Sequence, residues 1–323
     1  MKVFVSGATG VLGRPVVRRL VAEGHTARGF SRSLENAALL RRLGAEPVEA
    51  NLFDITSLRA GLQGCDAVFH LATSIPPTAR AGRVSAWAEN DRIRREGTHL
   101  LVTAALATQT VKTFVYPSFA LIYPESGDQW IDAENTPAAP NVIARTTLDA
   151  ESEVARFASS SGRRGISLRM GAFYSQDAPT TKDQLRIARM GLAPVPGRPE
   201  GYLPMIWVDD AAGAMVAALE HGDSGVYDIV DDHPLRRAEI TEAMAAAVGH
   251  KRLLRLPDWL MHLVGGPGID ALSRSQRVSN ERFKAATGWK PSIPDARVGM
   301  RRLVGVDLAE THEIPPAATL LGA

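Results

Sequence analysis

Apolar and polar positions alternate through the first half of the chain in two different rhythms. Short apolar runs predict strands at Lys2–Ser6, His25–Phe30, Glu46–Ala50, Asp66–Leu71, Thr113–Tyr116 and Gly165–Met170. Between them, helical spacing predicts helices at Val11–Glu23, Leu34–Leu43, Ser57–Leu62, Val84–Thr108 and Thr146–Ser161. In the first helix Leu12, Val16, Val17, Leu20 and Val21 share one face, and Gly24 stands where it stops. Strands separated by helices imply right-handed crossovers and a parallel sheet covered on both faces.

After Met170 the rhythm breaks. Prolines and glycines crowd the stretch from Pro179 to Pro204. Shorter elements follow: an Ala-rich helix at Asp209–Glu220, a strand at Gly225–Val230, and helices at Glu239–Val248, Trp259–Val264 and Asn280–Thr287. The residues from about Ala309 read as a loose tail. The expected fold class is α/β, a Rossmann-type doubly wound parallel sheet over residues 1–170. A smaller substrate-binding domain over 171–308, with some return to that sheet, precedes a tail at 309–323.

Composition narrows the partners. The chain has 323 residues, of which 45% are hydrophobic and 22% charged, enough to bury a large core without staples. Lysine and arginine number 37 against 35 acids, a formal charge of +2, too small to argue for nucleic acid or an anionic membrane. The single cysteine, Cys65, allows no disulfide framework, and the scattered histidines suggest no metal site. No apolar run reaches about 18 residues, and no signal peptide is visible. A cytoplasmic protein acting on a small molecule is expected.

The strongest local signal is Gly7-Ala8-Thr9-Gly10-Val11-Leu12-Gly13, which follows a strand and opens a helix. Glycines there permit a tight turn and close backbone approach to a pyrophosphate, and the helix start adds free N–H groups. The bland alternative is a plain glycine turn. At the end of the second strand a site for NAD places an acid on the ribose, whereas this chain has Ser31-Arg32. A hydroxyl and a guanidinium suit a 2′-phosphate, so NADP is favoured over NAD. Asn51-Leu52 should lie beside the adenine, and Leu71-Ala72-Thr73 beside the cofactor's centre, because ligands bind outside the carboxyl ends of parallel strands.

With this loop and these strand ends, the sequence resembles the extended short-chain dehydrogenases/reductases, or NAD-dependent epimerase/dehydratase family, to about Arg301. The matching segments are the glycine motif, His70-Leu71-Ala72, Gly97-Thr98, Phe114-Val115-Tyr116, Leu168-Arg169, Phe173-Tyr174, Ile206-Trp207-Val208-Asp209-Asp210-Ala211 and Thr287-Gly288-Trp289-Lys290-Pro291. The resemblance implies Gly171 and Phe173 at the cofactor, and a homodimer through the long helix and the Thr146–Ser161 helix.

The chain departs from the family at its catalytic relay. Members carry Ser or Thr, Tyr and Lys, the last two as YxxxK, with lysine lowering the tyrosine pKa. Alignment on Ala150-Glu151 puts Ile143 at the tyrosine and Thr147 at the lysine, while Phe119 takes the serine position with Ser118 before it. None of Tyr116, Tyr123, Tyr174, Tyr202 and Tyr227 has a lysine four residues on. A tyrosine without that lysine keeps a pKa near ~10, a poor base yet still an acid. Tyr123 is the first candidate proton donor, since it follows the fifth strand. Ser118, a hydroxyl beside the nicotinamide, is the second, and Tyr174 the third. Their structural readings are a core aromatic, a turn residue and a wall. His70 reads as a core histidine, Asp209-Asp210 as helix-start acids, and Arg92, Arg94 and Arg95 as surface charges.

Three functions stay open. One is an NADPH-dependent reductase of a small apolar carbonyl or enone. The second is a non-redox epimerase, dehydratase or cyclase, and the third a non-catalytic NADP sensor.

Overall fold

The computed structural model describes residues 1–77, 80–81, 83–140, 144–255 and 272–305. Its strands in chain order are β1 Lys2–Ser6, β2 Thr26–Ser31, β3 Glu46–Glu49, β4 Ala67–His70, β5 Thr113–Phe119, β6 Trp130–Ile131 and β7 Arg164–Met170. They continue with β8 Ala172–Tyr174, β9 Tyr202–Leu203, β10 Met205–Trp207, β11 Gly225–Ile229, β12 Leu235–Arg236 and β13 Arg277–Val278. Seven form one sheet in the order β11-β7-β5-β4-β1-β2-β3, and every pair in it is parallel. The chain leaves β1 for β2 and β3 on one side, then returns to β4 on the other. That reversal puts a crevice at the carboxyl ends of β1 and β4.

Both faces of the sheet are apolar, as covered parallel strands require. Val3, Val5, Phe69 and Val115 point to one layer, where they meet α1 (Gly13–Ala22) and α8 (Val208–His221). Phe4, Val68, Phe114 and Tyr116 point to the other, against α3 (Ile55–Leu62), α5 (Thr98–Ala107) and α6 (Arg145–Ala158). The fully buried rings of Phe114 and Phe157 stand 5.6 Å apart there, and truncating either to alanine would cost about 3–5 kcal/mol. A third cluster gathers Tyr174, Met205, Trp207, Ile240, Met244 and Met300 beyond the sheet.

Several sequence expectations change here. The long helix is interrupted. A 3₁₀ turn at Val84–Trp87 leads to α4 (Ala88–Arg92), then a π-helical turn at Ile93–Gly97, then α5. The strand read as Thr113–Tyr116 runs on to Phe119. The proline-rich stretch contains the helix α7, Pro179–Arg189, with proline at its first position, where the missing N–H costs nothing. The return of the later chain to the sheet takes the form of β11 paired with β7 and α8 packed on α1. The expected helix at Trp259–Val264 and the tail lie outside the described residues.

A late segment returns to brace the loop after β5. β13 pairs β6, Gln276 Nε2 donates to the Tyr123 carbonyl at 2.6 Å, and Ser275 N donates to Glu125 Oε2 at 2.6 Å. The brace is itself pinned by Arg237, fully buried, which donates to the carbonyls of Tyr202, Leu272 and Arg274.

Candidate active site

The glycine loop sits at the head of the crevice. Gly7 turns at φ +71°, and a Cβ there would lie 2.5 Å from the Leu71 carbonyl carbon. A Cβ on Gly13 would lie 2.1 Å from the Gly7 oxygen. The loop therefore closes backbone to backbone against the exit of β4, which only glycine permits. Helix α1 begins at Gly13 with no side-chain cap and no acid in its first turn, so its positive end stays open to an anion. This cradle fits a dinucleotide pyrophosphate, with Thr9, Gly10, Val11 and Leu12 forming the turn around it.

At the end of β2, Ser31 is buried and its Oγ donates to the Ser33 carbonyl at 2.8 Å. The exposed Arg32 has no ion pair or hydrogen bond among the described residues. Arg28, by contrast, is structural: it donates to the carbonyls of Gly61 and Gln63 and pairs with Glu46. Asn51 is exposed past β3, where its Oδ1 accepts from Phe53 N at 3.0 Å, while Leu52 is buried against Gly97.

At the exit of β4, Leu71 is buried, Ala72 partly so, and Thr73 exposed. His70 is structural. Its Nδ1 lies 2.7 Å from Ser6 Oγ and its Nε2 3.1 Å from Thr98 Oγ1, tying β1, β4 and α5 together. Burial pushes its pKa down to about 4, so the ring is neutral near pH 7.

At the exit of β5 the expected proton donors belong to a buried network. Ser118 is buried, and its Oγ donates to Glu151 Oε1 of α6. Glu151 is held by Arg169 of β7, Nε to Oε1 at 3.0 Å and Nη2 to Oε2 at 2.9 Å. Arg169 Nη1 donates onward to the Tyr123 hydroxyl at 3.0 Å, and that hydroxyl donates to Asp228 Oδ1 at 2.8 Å. Tyr123 is fully buried; burial and then the neighbouring Asp228 raise its phenol well above the usual range. Burial also lifts Asp228 to about 7. Both hydroxyls are thus engaged inside the protein, Ser118 with Glu151 and Tyr123 with Arg169 and Asp228. Tyr174 is likewise buried and donates to Asp231 at 2.8 Å.

Thr147 stands four residues before Glu151 on the same buried stripe of α6, and its hydroxyl has no hydrogen-bond partner among the described residues. Ile143 lies outside the described residues. Gly171 is pressed on the Met205 backbone, and Phe173 pairs with Ile206 in β8, partly buried. Sequence reading missed Glu151 and Asp228 and took Arg169 only as a family match. A signal existed: Glu151 interrupts the apolar stripe of Ala150, Val154 and Phe157, and Arg169 interrupts an apolar strand. A charge in such a place needs a partner.

Against known proteins, the model of the NAD dependent epimerase/dehydratase family matches residues 3–230. The chain belongs to that family. Its fold and nucleotide-binding loop are those of an extended short-chain dehydrogenase/reductase. It is 31% identical over 310 residues to the 3-diazoavenalumate denitrifying reductase of a Streptomyces species, covering 94% of this chain and all of that one. It is 27% identical over 285 residues to the 2-alkyl-3-oxoalkanoate reductase of Shewanella oneidensis, covering 81% of this chain and 70% of the relative. Among solved structures, human epimerase family protein SDR39U1 (isoform 2) with NADPH superposes with a TM-score of 0.80 at 25% identity, over 94% of this chain and 99% of that one. Family membership accounts for the glycine cradle and for a nicotinamide dinucleotide as cofactor. Among the described residues, no helix is long and apolar enough to cross a membrane.

Proposed function

We propose that this chain is an NADPH-dependent reductase whose acceptor takes up a hydride without a proton from the protein. The observation that carries the reading is the closed network Ser118–Glu151–Arg169–Tyr123–Asp228, which occupies the hydroxyls at the exit of β5. When bound, the nicotinamide supplies the hydride. The glycine cradle holds the pyrophosphate, and Arg32 takes the 2′-phosphate in preference to NAD. Thr147 cannot supply the charge with which the family's lysine lowers a tyrosine pKa.

Chemistry then selects the acceptor. Reduction of a simple carbonyl builds an alkoxide that calls for a donor in contact. An arenediazonium does not: with hydride it gives the arene and dinitrogen, a C–N bond breaking as a C–H bond forms. The similarity to a reductase named for denitrifying a diazo compound supports this class. A conjugated enone stands second, because its enolate can be protonated by solvent, and the similarity to an oxoalkanoate reductase keeps carbonyl compounds in the comparison.

The test is anaerobic incubation with NADPH and an aryl diazonium salt, against controls without protein and with Gly13→Ala. Protein-dependent loss of NADPH absorbance matched by dinitrogen release is expected. Consumption with a ketone panel alone would return the carbonyl reading. Product without NADPH consumption would point to a non-redox enzyme, and NADPH binding without product to a sensor. A homodimer through the Val84–Ala107 region and α6 belongs to the same proposal; a monomer at micromolar concentration in light scattering counts against it.

A further inference from the structure

The run Arg92, Arg94, Arg95 reads from sequence as surface charge, yet its members do different things. Arg92 pairs with Glu96 at 2.9 Å and Arg95 with Asp149 at 2.8 Å, both on exposed side chains. Arg94 is partly buried and has no carboxylate partner among the described residues. Its Nε is buried with no hydrogen-bond partner among the described residues.

Arg94 sits in the π-helical turn Ile93–Gly97. Such single turns inserted between α-helices are rare and occur frequently at functional sites. The turn brings Arg94 against Tyr116 of β5, closely enough for its charge to act on the phenol. The Tyr116 ring lies 5.9 Å from that of His70, the last residue of β4. His70 in turn bonds Ser6, immediately before the glycine loop. Arg94 is thereby placed on the α5–α6 side of the sheet, level with the exit of β4.

The carboxylates nearby are already engaged. Glu151 takes both Arg169 contacts and the Ser118 hydroxyl, and Asp91 accepts from Thr146 at 2.7 Å. Among the described residues no carboxylate pairs with Arg94, which leaves its guanidinium, beside the Tyr116 hydroxyl, for an anion from outside the chain. Guanidinium groups bind carboxylates through two parallel N–H donors.

We propose that Arg94, with the Tyr116 hydroxyl beside it, anchors a carboxylate of the substrate. The inference rests on the reductase reading and narrows its acceptor to aromatic or conjugated acids. The other source of an anion is a phosphate of the cofactor, and the test separates the two.

Calorimetric titration of cinnamate and of neutral cinnamamide into the NADP⁺-loaded protein is the experiment, with NADPH affinity measured separately by fluorescence. Cinnamate should bind the wild type at least tenfold tighter than cinnamamide. Arg94→Gln should erase that preference, roughly a tenfold to hundredfold loss for cinnamate alone, with NADPH affinity unchanged. Arg94→Lys should keep part of it. Tyr116→Phe, which retains the ring, guards against a folding defect and should give a smaller loss. Equal binding of acid and amide by the wild type, absence of cinnamate binding, or a preference surviving Arg94→Gln would overturn the proposal. Weakened NADPH binding in Arg94→Gln would reassign the site to the cofactor. Failure of the wild type to consume NADPH with any acceptor, with the cinnamate preference intact, would overturn the reductase reading and leave the carboxylate site standing.

Discussion

Arg169 grips Glu151 with two parallel hydrogen bonds of 2.9 and 3.0 Å, both side chains buried beneath the exit of β5. Removing one partner strands the other charge in the interior, so Arg169→Met should destabilise the fold by about 3–5 kcal/mol. Urea unfolding followed by circular dichroism measures this. A change below about 1 kcal/mol would show that the pair is not closed in solution.

Tyr123→Phe should act on stability rather than on chemistry. It deprives Asp228 and Arg169 of one buried partner each, which costs about 1–3 kcal/mol. NADPH affinity and turnover on a verified acceptor should stay close to wild type. A hundredfold drop in turnover with the fold intact would restore Tyr123 as the proton donor.

His70 makes the fold acid-sensitive. Its folded pKa, about 4, lies below the ordinary value near 6.5. The folded form therefore binds fewer protons than the unfolded chain within that interval. The stabilisation is present above about pH 6.5 and is lost as pH falls through about 4, by about 3 kcal/mol in all. Unfolding free energies across this range should show the slope, and His70→Asn should be less stable at pH 7 but flatter in acid. An unchanged slope in the variant would assign the acid limb to other groups.

Arg32→Ala tests the cofactor preference. A charged hydrogen bond to phosphate contributes about 1.5–3 kcal/mol, so NADP affinity should fall roughly tenfold to a hundredfold while NAD affinity holds. Equal losses for both cofactors, read by calorimetry, would refute a 2′-phosphate contact.

Local periodicity carried the sheet. β1 falls where its apolar run lies, and α1, α6 and α8 differ from their predicted spans by only a few residues. The π turn at Ile93–Gly97 left no trace in the spacing, because one extra residue in a turn does not disturb an apolar pattern carried by Leu101, Val102 and Ala105. The paired strands β6 and β13 are two residues each, too short for any period to register. The glycine cradle was legible because each of its parts is local. The engagement of Tyr123 and Ser118 was not legible because their partners arrive from elsewhere: Asp228 is 105 residues from Tyr123, and Glu151 is 33 from Ser118. Proximity to a strand end is a sequence property, whereas occupation of a hydroxyl is a property of the assembled core.

The brace on the loop after β5 has a consequence for biosynthesis. Gln276 reaches the Tyr123 carbonyl across 153 residues. At about 5–20 residues per second, a ribosome needs roughly 8–30 s to make the intervening chain. During that interval the early strands can pair, since the pairings β1–β2, β2–β3 and β1–β4 involve no residue beyond His70. The loop from Tyr123 to Ile131 must wait for its clasp. A nascent chain thus passes through a stage with a formed nucleotide cradle and an unfinished crevice wall, the stage at which a chaperone has the most to hold.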